Sequence, residues 1–208
     1  MLQTQTVEPR AFSLLKELMQ IKELQQFSLV GGTALALIFG HRKSVDLDLF
    51  NNSIFDNDVI ISALEKEFGN EFSLQLSRQK FGVFGFIKSI KVDFVKHPHK
   101  LIENIQVIDG IRMYSDADIA AMKINAILGR ARKKDFWDIY ELLHHYNLNQ
   151  LIEFYHKKFP SQMLLISIPY ALTYFTESED SDEPVSMKGQ TWSHVKKFIQ
   201  KKVSDYLK

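Results

Sequence analysis

The sequence contains no cysteine, which removes disulfides, zinc-thiolate sites and cysteine nucleophiles together. It has no apolar run long enough to span a bilayer, and its opening residues, MLQTQTVEPR, lack the hydrophobic stretch of a signal peptide. The expectation is a soluble, cytoplasmic protein with no membrane contact. Net charge is nearly absent, +1 over 208 residues, so any contact with nucleic acid must be local rather than global. No internal repeat is visible. The one biased segment, TESEDSDEPVSMKGQ at residues 176–190, is acidic and without periodicity, and reads as a flexible loop. What remains is 45% hydrophobic and 12% aromatic, ample for a buried core in one large domain or two small ones.

The most informative stretch is LVGGTALALIFGHRKSVDLDLF, residues 29–50. Asp46 and Asp48 lie two apart in a strand-like run, so they share a face, while Val45, Leu47 and Leu49 take the other and anchor it to a core. Two adjacent like charges repel, and a divalent cation between them relieves this, which points to a metal site for Mg²⁺ or Mn²⁺. Gly31 and Gly32 end a strand (27–30) and precede a helix (33–39) stopped by Gly40. Glycines there let backbone N–H groups approach an anion at a helix N-terminus. Thr33 adds a hydroxyl that either donates to phosphate or caps the helix, and Arg42 and Ser44 lie close enough in sequence to reach a phosphate. His41 is either part of that loop's chemistry or a structural contact. A phosphate cradle beside paired carboxylates is equipment for nucleotidyl transfer from an NTP.

Elsewhere the chain reads as punctuated elements. Pro9 starts a helix, Asp56 caps another that Gly69 ends, and strand-like runs follow at 72–78, 81–88 and 90–96. In the last, Asp93 interrupts an apolar pattern, and ligating a metal would resolve the cost of burying it. His97 and His99 flank Pro98 and lack a third ligand at zinc spacing, so they read as loop residues. Asp109-Gly110 marks a hairpin turn across 105–114. From Ser115, which caps a helix, only helical periodicity appears, so the boundary falls there: a domain of residues 1–114 and a helical domain of 115–208. Lys123 interrupts an apolar helix and needs either an anion or an outlet to solvent. If it meets phosphate, Lys123→Met should weaken nucleotide binding at unchanged or raised stability. Arg130, Arg132, Lys133 and Lys134 form a basic cluster, either a solvated face or a hold on an RNA backbone, and Asp135 and Asp138 are helical neighbours. Further helices are expected at 151–159, 162–175 (kinked or broken at Pro169) and 191–207, where Trp192, Val195, Ile199, Val203 and Tyr206 share a face.

The segments GGTALAL, GHRKSVDLDLF, IKVDFV and DIAAMKINAILGRARKKDFWDIYELL, in this order over about residues 27 to 145, resemble the AbiEii/AbiGii toxin family of nucleotidyltransferases within the DNA polymerase β-like superfamily. The resemblance implies an α/β (α+β) fold, a small mixed sheet flanked by helices and followed by a helical bundle. It also implies a Mg²⁺-dependent enzyme with Asp46, Asp48 and Asp93 as ligands, Lys123 associated with the incoming nucleotide, and Asp135 in the last motif, although Asp135 could equally pair with Arg132. The implied acceptor is the 3′ end of tRNA, and the implied partner a cognate antitoxin to this toxin, itself expected to be a monomer. Transfer to a protein or antibiotic, or a catalytically inactive binding module, are the alternatives. Nothing in the sequence chooses among the four NTPs.

Overall fold

A computed structural model describes residues 1–75 and 80–208. Pro9 opens helix α1 (Pro9–Gln20), whose buried stripe is Ala11, Leu14, Leu15, Leu18 and Met19. The Gly-Gly region connects strand β1 (Ser28–Leu29) to α2 (Gly31–Phe39), closed by Gly40 in the left-handed region at φ 68°. Strand β2 (Leu47–Asn51) follows, then α3 (Asn57–Phe68), whose cap Asp56 accepts from the Asp58 N–H. Strands β3 (Phe72–Leu74), β4 (Gly82–Ile87) and β5 (Ile90–Lys96) come next. A hairpin of β6 (Gln106–Ile108) and β7 (Ile111–Met113) turns at Asp109 and Gly110, both at positive φ, as a tight primed turn requires. Ser115 then caps α4 (Asp116–Arg130), and the chain continues through α5 (Lys133–His145), α6 (Leu148–Lys158), α7 (Ile168–Thr173) and α8 (Trp192–Tyr206).

Among the described residues the strands form one mixed sheet in the order β3-β4-β5-β2-β1-β7-β6. β2 lies between parallel β5 and antiparallel β1, in a register that sets Asp48 directly beside Asp93. One continuous apolar core runs from Leu2 to Val203, so the sheet and the C-terminal helices are packed together rather than tethered. α4 packs on α2 and α5, and the aromatic group Phe136, Trp137, Phe175 and Trp192 joins α5 to α8, with the two indoles stacked at 5.8 Å.

Several sequence expectations need correction. Leu47 and Leu49 are buried, but Val45 is 59% exposed, because β2 begins only after it. No continuous helix spans 162–175: it is broken rather than kinked, and Pro169 stands in the first turn of the shorter α7, where its missing N–H costs nothing. Tyr206, in the last turn of α8, is exposed while Trp192, Val195, Ile199 and Val203 are buried. The strand expected at 72–78 is observed from Phe72 to Leu74, and its part at residues 76–78 lies outside the described residues.

The acidic segment is pinned, not loose. The Lys43 N–H donates to Val185 O and the Met187 N–H to His41 O, both at 2.9 Å, around a bridge between Arg42 and Ser186. Lys188 reaches Glu141 at 2.6 Å. Backbone groups of a buried loop need partners, and a polar strap supplies them whatever its side-chain composition.

Candidate active site

The sheet register does the first work at the site. Asp48 on β2 and Asp93 on β5 are neighbours across a parallel pair, and Asp93 is 7% exposed. One oxygen of Asp93 accepts from Lys91 Nζ at 2.5 Å; the other, Oδ1, is buried without a partner. Burial, and then the charge of Asp93, raise the Asp48 pKa above the ordinary carboxylate value. Asp46 sits just before β2, half-exposed, 3.7 Å from Lys134 Nζ. Among the described residues no group of three His, Cys, Asp or Glu meets in an arrangement that could hold a metal. The structure thus brings Asp48 and Asp93 together and leaves Asp46 at the start of the strand, beside Lys134. A partnerless buried carboxylate oxygen next to a second carboxylate is nonetheless the hard, anionic oxygen set that Mg²⁺ or Mn²⁺ prefers.

Gly31 is forced by two constraints at once. Its φ is +70°, and a Cβ there would lie 2.8 Å from Asp48 Oδ2. At Gly32 a Cβ would collide with the Arg42 guanidinium. Asp48 and the Arg42 guanidinium thus occupy the space that a side chain at either glycine would need, and the first N–H groups of α2 lie beside them; a helix start leaves such donors without intrahelical acceptors. Thr33 behaves otherwise than expected: it is 1% exposed, its hydroxyl donates to Asp46 O at 2.5 Å and pairs with Ser44 Oγ at 2.8 Å. It neither caps α2, whose N-cap is Val30, nor faces open space. Thr33 and Ser44 instead brace the loop that delivers Asp46.

Arg42 is likewise turned inward. It is 3% exposed; Nε and Nη2 donate to the two Asp138 oxygens at 2.7 and 2.9 Å, and Nη1 donates to Lys43 O. His41 Nε2 meets Asp138 at 2.7 Å, and Lys123 Nζ meets Asp138 at 2.7 Å and Asp135 at 2.8 Å. Burial opposes charge on Asp138, but Arg42 and Lys123 outweigh it and hold its pKa well below the ordinary value. Burial likewise opposes the Lys123 ammonium, and Asp138 with Asp135 outweigh it, so its pKa is raised. The lysine thus finds its anions within the chain, which reverses the expected stability effect of Lys123→Met: the substitution would strip two buried carboxylates of a counter-charge. Asp135 pairs with Lys123, and its second oxygen is buried without a partner.

Four of these residues, Gly31, Asp48, Lys123 and Asp135, border a cleft of about 320 Å³ between β2 and α4; Asp46, Asp93, Arg42 and Asp138 lie outside its lining. Gly31, Asp48, Lys123, Asp135 and Arg130 line its polar part; Phe50, His97, Ile119, Met122 and Phe159 line the rest. A second cleft, of about 590 Å³, shares Arg130 and holds Arg132 and Lys134 opposite Glu177, Asp180 and Asp182 of the strap. Lys133 is tied to the strap through Ser181 Oγ and Glu179 O.

The family described as "Nucleotidyl transferase AbiEii toxin, Type IV TA system" matches residues 13–198. This chain belongs to the AbiEii family. It is 32% identical to an uncharacterised protein of Aquifex aeolicus over 200 residues, 93% of this chain and 94% of that one. Its fold is similar to that of the nucleotidyltransferase toxin MenT4 of Mycobacterium tuberculosis, with a TM-score of 0.55 and 18% identity over 95% of this chain and 86% of MenT4. It is also similar to JHP933 of Helicobacter pylori, with a TM-score of 0.51 and 16% identity over 96% and 94% of the two chains. The AbiEii chain is accordingly a nucleotidyltransferase of a toxin family, a class that uses NTPs, generally with divalent metals, and whose toxins imply antitoxins. None of its described helices is long and apolar enough to cross a membrane.

Two features of this AbiEii chain escaped sequence reasoning. Asp138, left undistinguished from Asp135, is the hub of the buried charge network, and its partners His41 and Arg42 are 97 and 96 residues away, beyond any local signal. His97, read as a loop residue, lines the cleft; strand alternation from Asp48 to Phe50 was the available hint that the aromatic residues share the carboxylate face.

Proposed function

We propose that this chain transfers a nucleotide from an NTP to an RNA acceptor, the 3′ end of tRNA, as a toxin restrained by a cognate antitoxin. In this reading residues 1–114 supply the nucleotidyltransferase domain and 115–208 the helical wall of its cleft. The observation that carries it is the Asp48–Asp93 pair, in register on adjacent strands, with the glycine start of α2 in contact with Asp48. Asp48 and Asp93, joined by Asp46, would hold Mg²⁺ or Mn²⁺, and such an ion would supply charge neutralisation for the triphosphate and acidify the acceptor hydroxyl. The N–H groups of Gly31 and Gly32 take phosphate oxygens. Lys123 and Asp135 border the same space, Lys123 contributing positive charge from its buried anchorage. Asp93 helps to take the proton from the acceptor hydroxyl as the hydroxyl oxygen bonds to the α-phosphorus and pyrophosphate leaves. Arg130, Arg132 and Lys134, in the adjoining cleft, offer charge to an RNA backbone.

A second reading, transfer to a protein, draws support from the acidic residues Glu177, Asp180 and Asp182 facing those cations, an arrangement of mixed charge. Incubation with each labelled NTP, Mg²⁺ and total cell extract, beside an Asp48→Asn control, tests both. Label in the tRNA band supports the first, label in protein bands the second, and no Asp48-dependent label refutes nucleotidyl transfer by this site.

A further inference from the structure

The cleft is chemically divided, and the proposed reaction uses only its polar half. In the other half Phe50 and His97 lie 5.6 Å apart between ring centroids, and His97 and Phe159 lie 6.0 Å apart nearly at right angles. His99 closes the back of the group, 4.7 Å from His97 and 4.6 Å from Phe159. Ile119 and Met122 of α4 complete the wall. The backbone holds His97 in place: its N–H donates to Asn51 O at 2.8 Å and its carbonyl accepts from the His99 N–H at 2.7 Å. On its side chain, Nε2 is buried with no hydrogen-bond partner among the described residues. An aromatic recess with one buried, unmatched polar atom is suited to a flat heteroaromatic ring bearing a polar edge.

We propose that this aromatic end receives the base of the incoming nucleotide, packed among Phe50, His97 and Phe159, and that His97 Nε2 reads the edge of that base. The inference rests on the nucleotidyl-transfer reading, in which the triphosphate lies toward Gly31 and Asp48; both ends line one cleft, so a single nucleotide spans them. Burial, and then the positive charge of Lys158, push the His97 pKa down to about 4. The ring is neutral at neutral pH, with one N–H and one lone pair to offer, so it discriminates by hydrogen bonding rather than by charge. His97 is thereby a specificity-determining residue at a place where the sequence showed no base-reading pocket.

Calorimetric titration of the full chain, in Mg²⁺, with each of the four NTPs and with inorganic triphosphate tests this. The expected result is that at least one NTP binds about tenfold or more tightly than triphosphate, as one stacked base contributes, and that the four NTPs differ among themselves. His97→Phe keeps an aromatic face and removes the hydrogen bond. It should bring the four NTPs to within about twofold of one another while leaving triphosphate binding unchanged. His97→Gln, which restores a donor and an acceptor, should discriminate again with an altered ranking; it carries the test if the Phe variant melts early. Equal affinity for NTPs and triphosphate in the wild type overturns the base site and leaves the nucleotidyl-transfer reading standing. An unchanged NTP ranking in both variants overturns the role of His97. Failure of every ligand to bind overturns both readings.

Discussion

Two groups of buried charge lie within one cleft wall of each other and are settled in opposite ways. Around Asp138, two carboxylates meet a guanidinium, an ammonium and an imidazole, and both Asp138 oxygens are engaged. Around Asp48 and Asp93, two carboxylates are neighbours, one Asp93 oxygen has no partner, and among the described residues Lys91 is the one cation paired with Asp93. Unequal compensation separates a structural clasp from a site kept for something else. A buried carboxylate whose two oxygens both meet cations, as Asp138 does, holds loop 41–44 and α5 together, whereas a pair left short of positive charge is stabilised by an incoming cation. The pair Lys158–Asp118, at 2.6 Å and fully buried, with Ser115 and the Ile102 and Glu103 N–H groups on the same carboxylate, belongs to the first kind.

The comparison is broken most forcefully at the clasp. Asp138→Asn keeps the shape but leaves Arg42 and Lys123 short of a buried counter-charge, at an expected cost of roughly 3–5 kcal/mol measured by urea unfolding. The sign with pH follows from its depressed pKa. Its stabilisation is complete above the ordinary value of 3.8 and is lost as pH falls through the lower folded value, so the variant should lack that part of the acid loss. If Asp138→Asn unfolds at the wild-type urea midpoint, the clasp is not structural.

Gly31→Ala comes next. It combines an unfavourable positive φ with a methyl 2.8 Å from Asp48 Oδ2, and about 1–2 kcal/mol is expected from the backbone alone. The urea midpoint measures it, and a loss under about half a kcal/mol would show that the loop relaxes freely.

At the carboxylate pair the sign reverses. Asp48→Asn removes one of two repelling charges, so Tm should rise by a few degrees, about 1 kcal/mol in a chain of this size. Mg²⁺ or Mn²⁺ should raise the wild-type Tm and leave the variant's nearly still. Equal metal-induced shifts in both proteins would sink the shared metal site.

At neutral pH the smallest effect is at the aromatic end of the cleft, because it emerges only on acidification. Because the His97 pKa is lowered from 6.5 to about 4, the folded state binds its proton less readily than the unfolded chain does. Stability is therefore full above about 6.5 and declines as pH falls toward about 4. Thermal melts across that window should show a shallower decline in His97→Phe than in the wild type, and parallel curves would mean that His97 titrates freely.

What the sequence made legible was local. Ser115 and Asp56 as caps, Gly40 as a left-handed stop and Asp109-Gly110 as a hairpin act within a few residues, and each stands where the pattern placed it. Strand alternation identified Asp48, and an apolar strand interrupted by an acid identified Asp93, the two carboxylates that the sheet sets side by side. Arg42 and Lys123 were recognised as cations in need of anions, but their partner Asp138 is supplied by the tertiary fold. Pro169 was recognised as an interruption, but whether it kinks a long helix or starts a short one was not legible, because the same residue does both and the packed chain decides which. The acidic strap was misread for a related reason: its composition describes its side chains, while its order comes from backbone bonds to His41 and Lys43.

That strap also sets a schedule. The loop of His41, Arg42 and Lys43 is synthesised early, yet its backbone partners are Val185, Ser186 and Met187 and its carboxylate hub is Asp138. On the ribosome the loop delivering Asp46 therefore stays unlatched until residue 187 has cleared the exit tunnel. A nascent chain long enough to contain every proposed catalytic carboxylate still lacks the residues whose backbone holds the loop of His41, Arg42 and Lys43.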